Sequence, residues 1–366
     1  MRAEAIVDLS AIKHNVALLK EKSGTDLLAV VKADAYGHGL LPIAKAALDA
    51  GASMLGVALL EEAIALRESG ITAPILAWLV QPGSDYESAI DLDIDLAAGS
   101  IAALHEIQAA SKEKKARVHL ELDTGMTRGG FLGEWSSLSV SDVESLDIVG
   151  VFSHFARADE PAEVQNQEQL ARFNEMVSQL HALGFTDVKR HLSNSAATLT
   201  NPAASFEMVR NGIAIYGLTP DVAMGSSRDF GLRPAMQLRA ALYLVKDVPA
   251  GTPVGYGASE STSRDTKLGV VTMGYADGIP RIAKGAGVWV NGQRAPIIGR
   301  VSMDQFVVDL GAGSKAKSGD WVVVFGNGSH GEYTADDWGA ASGSINYEIV
   351  TRIGPRVPRI YSAHVY

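Results

Sequence analysis

Lys32 stands at the end of a short apolar run, Leu27-Leu28-Ala29-Val30-Val31, and is followed at once by Ala33-Asp34-Ala35-Tyr36-Gly37-His38-Gly39. Partial burial lowers an ammonium pKa and frees the amine as a nucleophile, so a lysine leaving a buried strand for a glycine-marked turn can form a Schiff base. A lone lysine in such a place more often only lays its stem along apolar surface. Other reactive residue types recur in equivalent places. Arg128 follows a strand-like run in Asp123-Thr124-Gly125-Met126-Thr127-Arg128, His154 ends another, Asn194 and Ser195 follow a third, and Arg210, Asn211 and Gly212 follow a fourth. An arginine after a strand is usually a surface ion pair, and a strand-end histidine is usually structural. What gives these residues weight is the element pattern that gathers them.

From about 27 to 210, short β-branched or apolar runs alternate with helical patterns, the signature of a parallel sheet wrapped by helices. Strands are predicted at 27–31, 54–58, 75–79, 94–97, 117–122, 148–153, 188–192 and 207–209. Amphipathic spacing predicts helices at 40–50, 61–69, 101–111 and 163–183. Eight such units favour a closed (β/α)8 TIM-type barrel, in which strand carboxyl ends share one mouth. After about 233, strand-like runs at 238–245, 268–271, 287–290, 306–310 and 321–325 come with dense Gly and Pro punctuation. They predict a mainly antiparallel β domain. The expected division is a barrel over 1–230 and a C-terminal β domain over 231–366, with the first strand, about 3–9, a candidate to pair with the second domain.

The barrel places a nucleophile candidate, two guanidinium groups, an imidazole and a hydroxyl on one rim. The loops after the last two strands, carrying Ser195 and Gly212, are where such barrels commonly bind phosphate. A phosphate site beside a lysine suggests pyridoxal 5'-phosphate, and Arg210 is placed to face its pyridine nitrogen.

The bulk properties fit a globular enzyme. Hydrophobic residues make up 47% and charged residues 20%, the balance of a chain with a full core. A net charge of -10 without a polybasic stretch argues against a nucleic-acid partner. Without cysteine there is no disulfide or thiolate metal site. Charges near the N-terminus, where a signal peptide needs apolar residues, and the lack of a long apolar run predict a cytoplasmic protein without a membrane span. Three patterns are decoys. The G-x-G-x-x-G at 326–331 has too little chain after it for a dinucleotide domain. Asp91-Leu92-Asp93-Ile94-Asp95 imitates a calcium loop but lacks its glycine and bidentate glutamate, and reads as a solvated strand entry. His119 and Glu121 alternate on a strand without a third metal ligand.

Taken in order, the motifs resemble those of bacterial alanine racemases over essentially the whole chain. They are 31–39 (Val-Lys-Ala-Asp-Ala-Tyr-Gly-His-Gly), 122–126 (Leu-Asp-Thr-Gly-Met), 153–156 (Ser-His-Phe-Ala), 194–198 (Asn-Ser-Ala-Ala-Thr) and 210–217 (Arg-Asn-Gly-Ile-Ala-Ile-Tyr-Gly). The second domain adds 255–258 (Gly-Tyr-Gly-Ala), 274–278 (Gly-Tyr-Ala-Asp-Gly), 299–305 (Gly-Arg-Val-Ser-Met-Asp-Gln) and 356–359 (Arg-Val-Pro-Arg). The resemblance implies an enzyme that interconverts L- and D-alanine on pyridoxal 5'-phosphate and supplies D-alanine for peptidoglycan. It implies catalytic Lys32 and Tyr256, with Tyr36, Ser195, Gly212 and Ile213 holding the phosphate and Asn194 also binding the cofactor. Arg210 would meet the ring nitrogen, His154 would lie beside the cofactor, and Arg128 would hold the substrate carboxylate. Tyr275 would gate the entrance. Asp304 would play a supporting part, and Tyr256 and Met303 would reach the site from the partner in a homodimer.

Racemisation removes the α-proton on one face and returns one on the other, so lysine and tyrosine would supply the two acid/base groups. Two positions depart from the family pattern. Glu121 stands where many members carry a carbamylated lysine, so a native carboxylate would supply the anion that orients Arg128. Gly354-Pro355-Arg356 lacks a tyrosine that narrows the entrance in some members, which makes selectivity for alanine less secure than the reaction. The rivals are a broader amino-acid racemase, a non-catalytic pyridoxal phosphate-binding protein, and a decarboxylase on a related fold. The last typically needs a cysteine and an acidic residue at the ring nitrogen.

Overall fold

The computed structural model describes residues 1–363. They form two compact units: one comprises Met1–Ala11, Tyr36–Gly39 and 233–363, the other Ile12–Ala35 and Leu40–Leu232. A single cut near 230 therefore does not describe the chain. Its first strand, β1 (Ala3–Asp8), and the short 36–39 segment belong with the C-terminal residues.

The larger unit is the expected barrel. Its strands are β2 (Asp26–Val30), β3 (Met54–Val57), β4 (Ile75–Ala77), β5 (Ile94–Ala98), β6 (Arg117–Glu121), β7 (Asp147–Phe152), β8 (Lys189–His191) and β9 (Met208–Asn211). From β2 to β8 each pairs in parallel with the next, and β9 pairs in parallel with β2. Between β8 and β9 the Arg210 N–H donates to Ser193 O at 2.9 Å, which nearly closes the ring. Runs such as Met54–Val57 and Ile94–Ala98 are buried throughout, as strands packed between a barrel core and an outer helix layer must be. Helices start where local chemistry provides an acceptor: Ser100 caps Ile101–Ala110 through the Ala103 N–H at 3.1 Å, and Asp85 caps Tyr86–Asp91 through that of Ser88.

Several expected boundaries shift. β4 ends at Ala77, two residues short of the predicted run. β9 begins one residue later than predicted and includes Arg210, which thus belongs to the strand and is 6% exposed.

The smaller unit is a mixed sheet built along the thirteen-residue β10 (Met236–Val248). β10 pairs antiparallel with β1, and β1 pairs in parallel with the last strand, which consists of Arg359–Ser362. Along its length β10 also pairs antiparallel with Thr266–Val271 and Trp321–Phe325. The unit also carries two short helices, Ala335–Ser342 and Asn346–Thr351, which hydrophobic periodicity did not reveal. The 326–331 glycine motif is a loop after Trp321–Phe325, gathered by Glu332, whose carboxylate accepts from Gly328 and His330 N–H.

Small residues make room for functional ones in the barrel. A Cβ at Gly56 of β3 would lie 2.3 Å from Leu28 Cδ2 and 2.6 Å from the Trp78 ring, and one at Gly150 of β7 would lie 2.1 Å from His119 Nδ1. Gly150→Ala is expected to displace His119 and destabilise the protein by about 1–3 kcal/mol, measured as a lower denaturant midpoint with an unchanged slope.

Candidate active site

The chain changes hand immediately after Lys32. Ala33, Asp34, Ala35 and Tyr36 have φ between 52° and 54°, so Lys32–Gly37 is a left-handed turn closed by the Ala35 N–H to Val31 O at 2.9 Å. L-residues resist this conformation by roughly 1–2 kcal/mol each. Four in succession are held only where surrounding contacts overdetermine them. Such strain beside a lysine marks a place where side-chain direction matters.

Lys32 is half-buried, with its Nζ 5.8 Å from the centre of the Trp78 ring. Burial lowers its pKa and Arg128 lowers it further, against the opposing field of Glu62. The amine is biased toward its nucleophilic form. Arg128, on the loop after β6, is exposed and forms no ion pair among the described residues. Its charge nevertheless acts on Lys32, His154, Arg210 and Glu121. His154, two residues past β7, is pushed down to about 3 by burial, Arg210, Arg128 and Lys32, and is therefore neutral. Glu121, at the end of β6, is raised by burial against the pull of Arg210 and Arg128, and a Cβ at Gly129 would lie 3.3 Å from both its carboxylate oxygens.

Arg210 is the deepest of the cations. Its Nη1 donates to His191 O, and its Nη2 to Ser153 O at 2.6 Å and Leu192 O at 3.3 Å. Burial brings it to about 10, so it stays charged at neutral pH. A hydrogen-bonded chain runs from it across the barrel core. Nη1 lies 3.4 Å from His191 Nδ1, His191 Nε2 lies 2.8 Å from His119 Nδ1, and His119 Nε2 lies 3.2 Å from Asp95 Oδ2. A guanidinium can only donate and a carboxylate only accept. Both imidazoles are therefore aligned, each carrying hydrogen on Nε2 and accepting at Nδ1. Arg117 completes the chain by pairing with Asp95 at 2.7 Å.

This corrects the reading of Asp95 as a solvated strand entry. Asp91 and Asp93 are exposed, whereas Asp95 is 1% exposed and hydrogen-bonded on both oxygens. His119 was weighed only as a metal ligand, and His191 was not singled out. Their inward alternation on β6 and β8 was the available signal.

The loops after β8 and β9 supply hydrogen-bond donors. Asn194 caps the short helix Ser195–Thr200 by accepting the Ala197 N–H, and Ser195 Oγ accepts from Gly212 N–H at 3.0 Å and Ala214 N–H at 3.3 Å. Tyr216 anchors the same loop by donating to Val30 O at 2.9 Å, on the strand that leads to Lys32. The Ile213 N–H and the Nε of Arg210 have no acceptor among the described residues. Tyr36 ends the left-handed turn, and burial raises its phenol well above the usual range.

Tyr256, Tyr275, Met303 and Asp304 lie in the smaller unit and are exposed, Tyr256 at 72%. Buried Asp277 ties that region together: Arg2 and Arg356 pair with it at 2.5 and 3.3 Å, and Arg356 also pairs with Asp304 at 2.7 Å. The N–H groups of Tyr275 and Ala276 donate to Ser302 O and Met303 O.

Residues 7–220 match the family model of the alanine racemase N-terminal domain, and residues 235–361 that of its C-terminal domain. The chain belongs to the alanine racemase family. It is 50% identical to alanine racemase of Salinispora arenicola over 98% of both chains, and 50% identical to that of Beutenbergia cavernae over 98% of this chain and 97% of the relative. A crystal structure of alanine racemase from Streptomyces lavendulae superposes with a TM-score of 0.97 at 45% identity, covering 100% of this chain and 98% of that one. One from Bacillus anthracis with bound L-Ala-P gives 0.91 at 38%, covering 99% and 95%.

The activity of this family is a pyridoxal 5'-phosphate-dependent isomerisation. The residues fit that group. A half-buried amine suits its aldehyde, the Ile213 N–H beside Ser195 suits a phosphate, and the unaccepted Nε of Arg210 suits a ring nitrogen.

Asp95 carries a stability signature. Burial raises its pKa, but hydrogen bonds from His119 and Arg117 outweigh burial and hold it below the ordinary carboxylate value. Its stabilising contribution is therefore present above pH about 4 and lost as pH falls through the folded value. Asp95→Asn should cost about 1.5–3 kcal/mol at pH 7 and flatten the acid side of the stability profile, measured by denaturant titration between pH 3 and 7.

Proposed function

We propose that this alanine racemase exchanges the α-proton of alanine between Lys32 and Tyr256, with the tyrosine lent by a second copy of the chain. The observation that carries the reading is the cluster at the barrel mouth, where the half-buried Lys32 amine lies in the field of Arg128, and His154 lies in the fields of Arg210, Arg128 and Lys32. When bound, pyridoxal 5'-phosphate acidifies the α-carbon by drawing electrons from it.

Lys32 Nζ takes or returns the proton on one face, and the Tyr256 phenol does so on the other. Arg128 holds the substrate carboxylate. Arg210 stays protonated and donates to the ring nitrogen without surrendering its proton, which limits how strongly charge is drawn away and disfavours side reactions. The chain through His191 and His119 to Asp95 keeps that guanidinium in register. His154, neutral, packs beside the ring. Asn194, Ser195, Gly212, Ile213 and Tyr36 hold the phosphate. Exposure of Tyr256, Tyr275 and Met303 on the smaller unit supports their use by a partner molecule in a homodimer with a shared site. Glu121 supplies the anion that elsewhere in the family comes from a carbamylated lysine, and it balances Arg128. The D-alanine formed is a peptidoglycan precursor.

Borohydride treatment of holoenzyme, followed by peptide mass spectrometry, should place the cofactor mass on Lys32. Adduct on another lysine overturns the assignment. Tyr256→Phe should lower racemisation by about 10²- to 10⁴-fold while cofactor remains bound. Solvent-deuterium exchange should then survive for one enantiomer and fail for the other. Glu121→Ala should raise the KM for alanine more than it lowers kcat, and unchanged kinetics count against its role.

A further inference from the structure

The left-handed turn beyond Lys32 is fastened by one side chain that sequence motifs did not single out. Glu62 Oε1 accepts the Ala33 N–H at 2.6 Å, on the first residue after the lysine. Its Oε2 accepts the N–H groups of Ala58 at 3.0 Å and Leu59 at 3.1 Å. Ala33 follows β2 and Ala58 follows β3, and these strands are hydrogen-bonded neighbours. One carboxylate thus joins the carboxyl ends of two barrel strands beside the amine. It also closes the start of its own helix, Leu60–Glu68. On the far side of the turn, Asp34 Oδ1 accepts the Leu40 N–H at 2.8 Å, so the strained segment is held from both ends.

We propose that Glu62 is a positioning residue for Lys32: by gripping the next peptide N–H together with the β3 loop, it sets the direction from which the amine meets the α-carbon. The proposal rests on the reading of Lys32 as an acid/base group. Three N–H donors converge on the two oxygens, a demand that an ionised carboxylate meets and a carboxamide does not, since an amide turns one NH2 toward those donors. Aspartate, one methylene shorter, cannot bridge both strands.

The charges facing the lysine are few. Glu62 comes from the β3 loop and helix, Arg128 from the loop after β6 and His154 from the segment after β7, while Trp78 after β4 presents its ring. Among these groups Glu62 is the one whose charge favours the ammonium. Its loss should therefore act on position and protonation together, which a purely structural residue would not do.

The test compares wild type with Glu62→Gln and Glu62→Asp. In cofactor-free protein, acylation of Lys32 is followed against pH by peptide mass spectrometry, with exposed Lys13 as the internal reference. In holoenzyme, kcat and KM for alanine are measured, as is the rate at which cofactor is lost on dialysis. Glu62→Gln should move the Lys32 labelling midpoint to lower pH while leaving that of Lys13 in place. Cofactor loss should accelerate, and kcat should fall on the order of 10- to 100-fold with KM changed much less. Glu62→Asp should restore the labelling midpoint in part but not kcat, because it keeps charge and loses reach.

If both variants fold and label Lys32 as wild type does, with kcat unchanged, Glu62 is not a positioning residue. If they lose only thermal stability, that too overturns the proposal. Lys32→Ala separates this from the underlying reading: full racemisation by that variant removes Lys32 from the chemistry, whatever Glu62 does.

Discussion

Positive charge held out of water is the constraint on which this site depends. Lys32 and Arg210 each feel Arg128, and His154 feels all three, at the mouth of a parallel barrel where burial penalises the charged forms of Lys32, His154 and Arg210. Charge in that setting must be neutralised, shared with hydrogen-bond acceptors or given up. The protein does all three. Lys32 is biased toward the free amine, His154 stays neutral, and Arg210 spreads its charge over backbone carbonyls of His191, Ser153 and Leu192. The residual positive field suits an anionic cofactor and an amino-acid carboxylate.

The barrel core is more than a scaffold for this rim. Asp95 at one end and Arg210 at the other orient two imidazoles between them, so the polarity of the interior runs in one direction. Arg117 and Asp95 start that chain from the side of the strand beginnings, remote from the lysine. Room for it is made by Gly150, just as Gly56 makes room for Trp78. Packing at small residues and electrostatics at charged ones are the same design read twice.

The smaller unit follows different physics. Its sheet is organised by β10, and its buried polar centre is Asp277 with Arg2 and Arg356, a cluster joining the N-terminus to segments more than 270 residues away. That cluster and the backbone bonds from 275–276 to 302–303 hold Tyr275, Met303 and Asp304 on a firm base while their side chains stay exposed.

The sequence alone determined the alternation of strands and helices, the change to β structure after 233, and the lysine, arginines and histidine at strand ends. These depend on hydrophobic periodicity and on glycine, properties written in neighbouring residues. Tertiary structure decided what those signals could not carry. The left-handed 33–36 turn is tied at Ala33 to a carboxylate 29 residues away, and Asp95, unlike Asp91 or Asp93, is buried against partners from β6. The link between His119 and His191 spans 72 residues and exists only because the sheet sets β6 and β8 on either side of β7. Local pattern specifies which elements form, but a charge finds its partner only when distant strands are brought side by side.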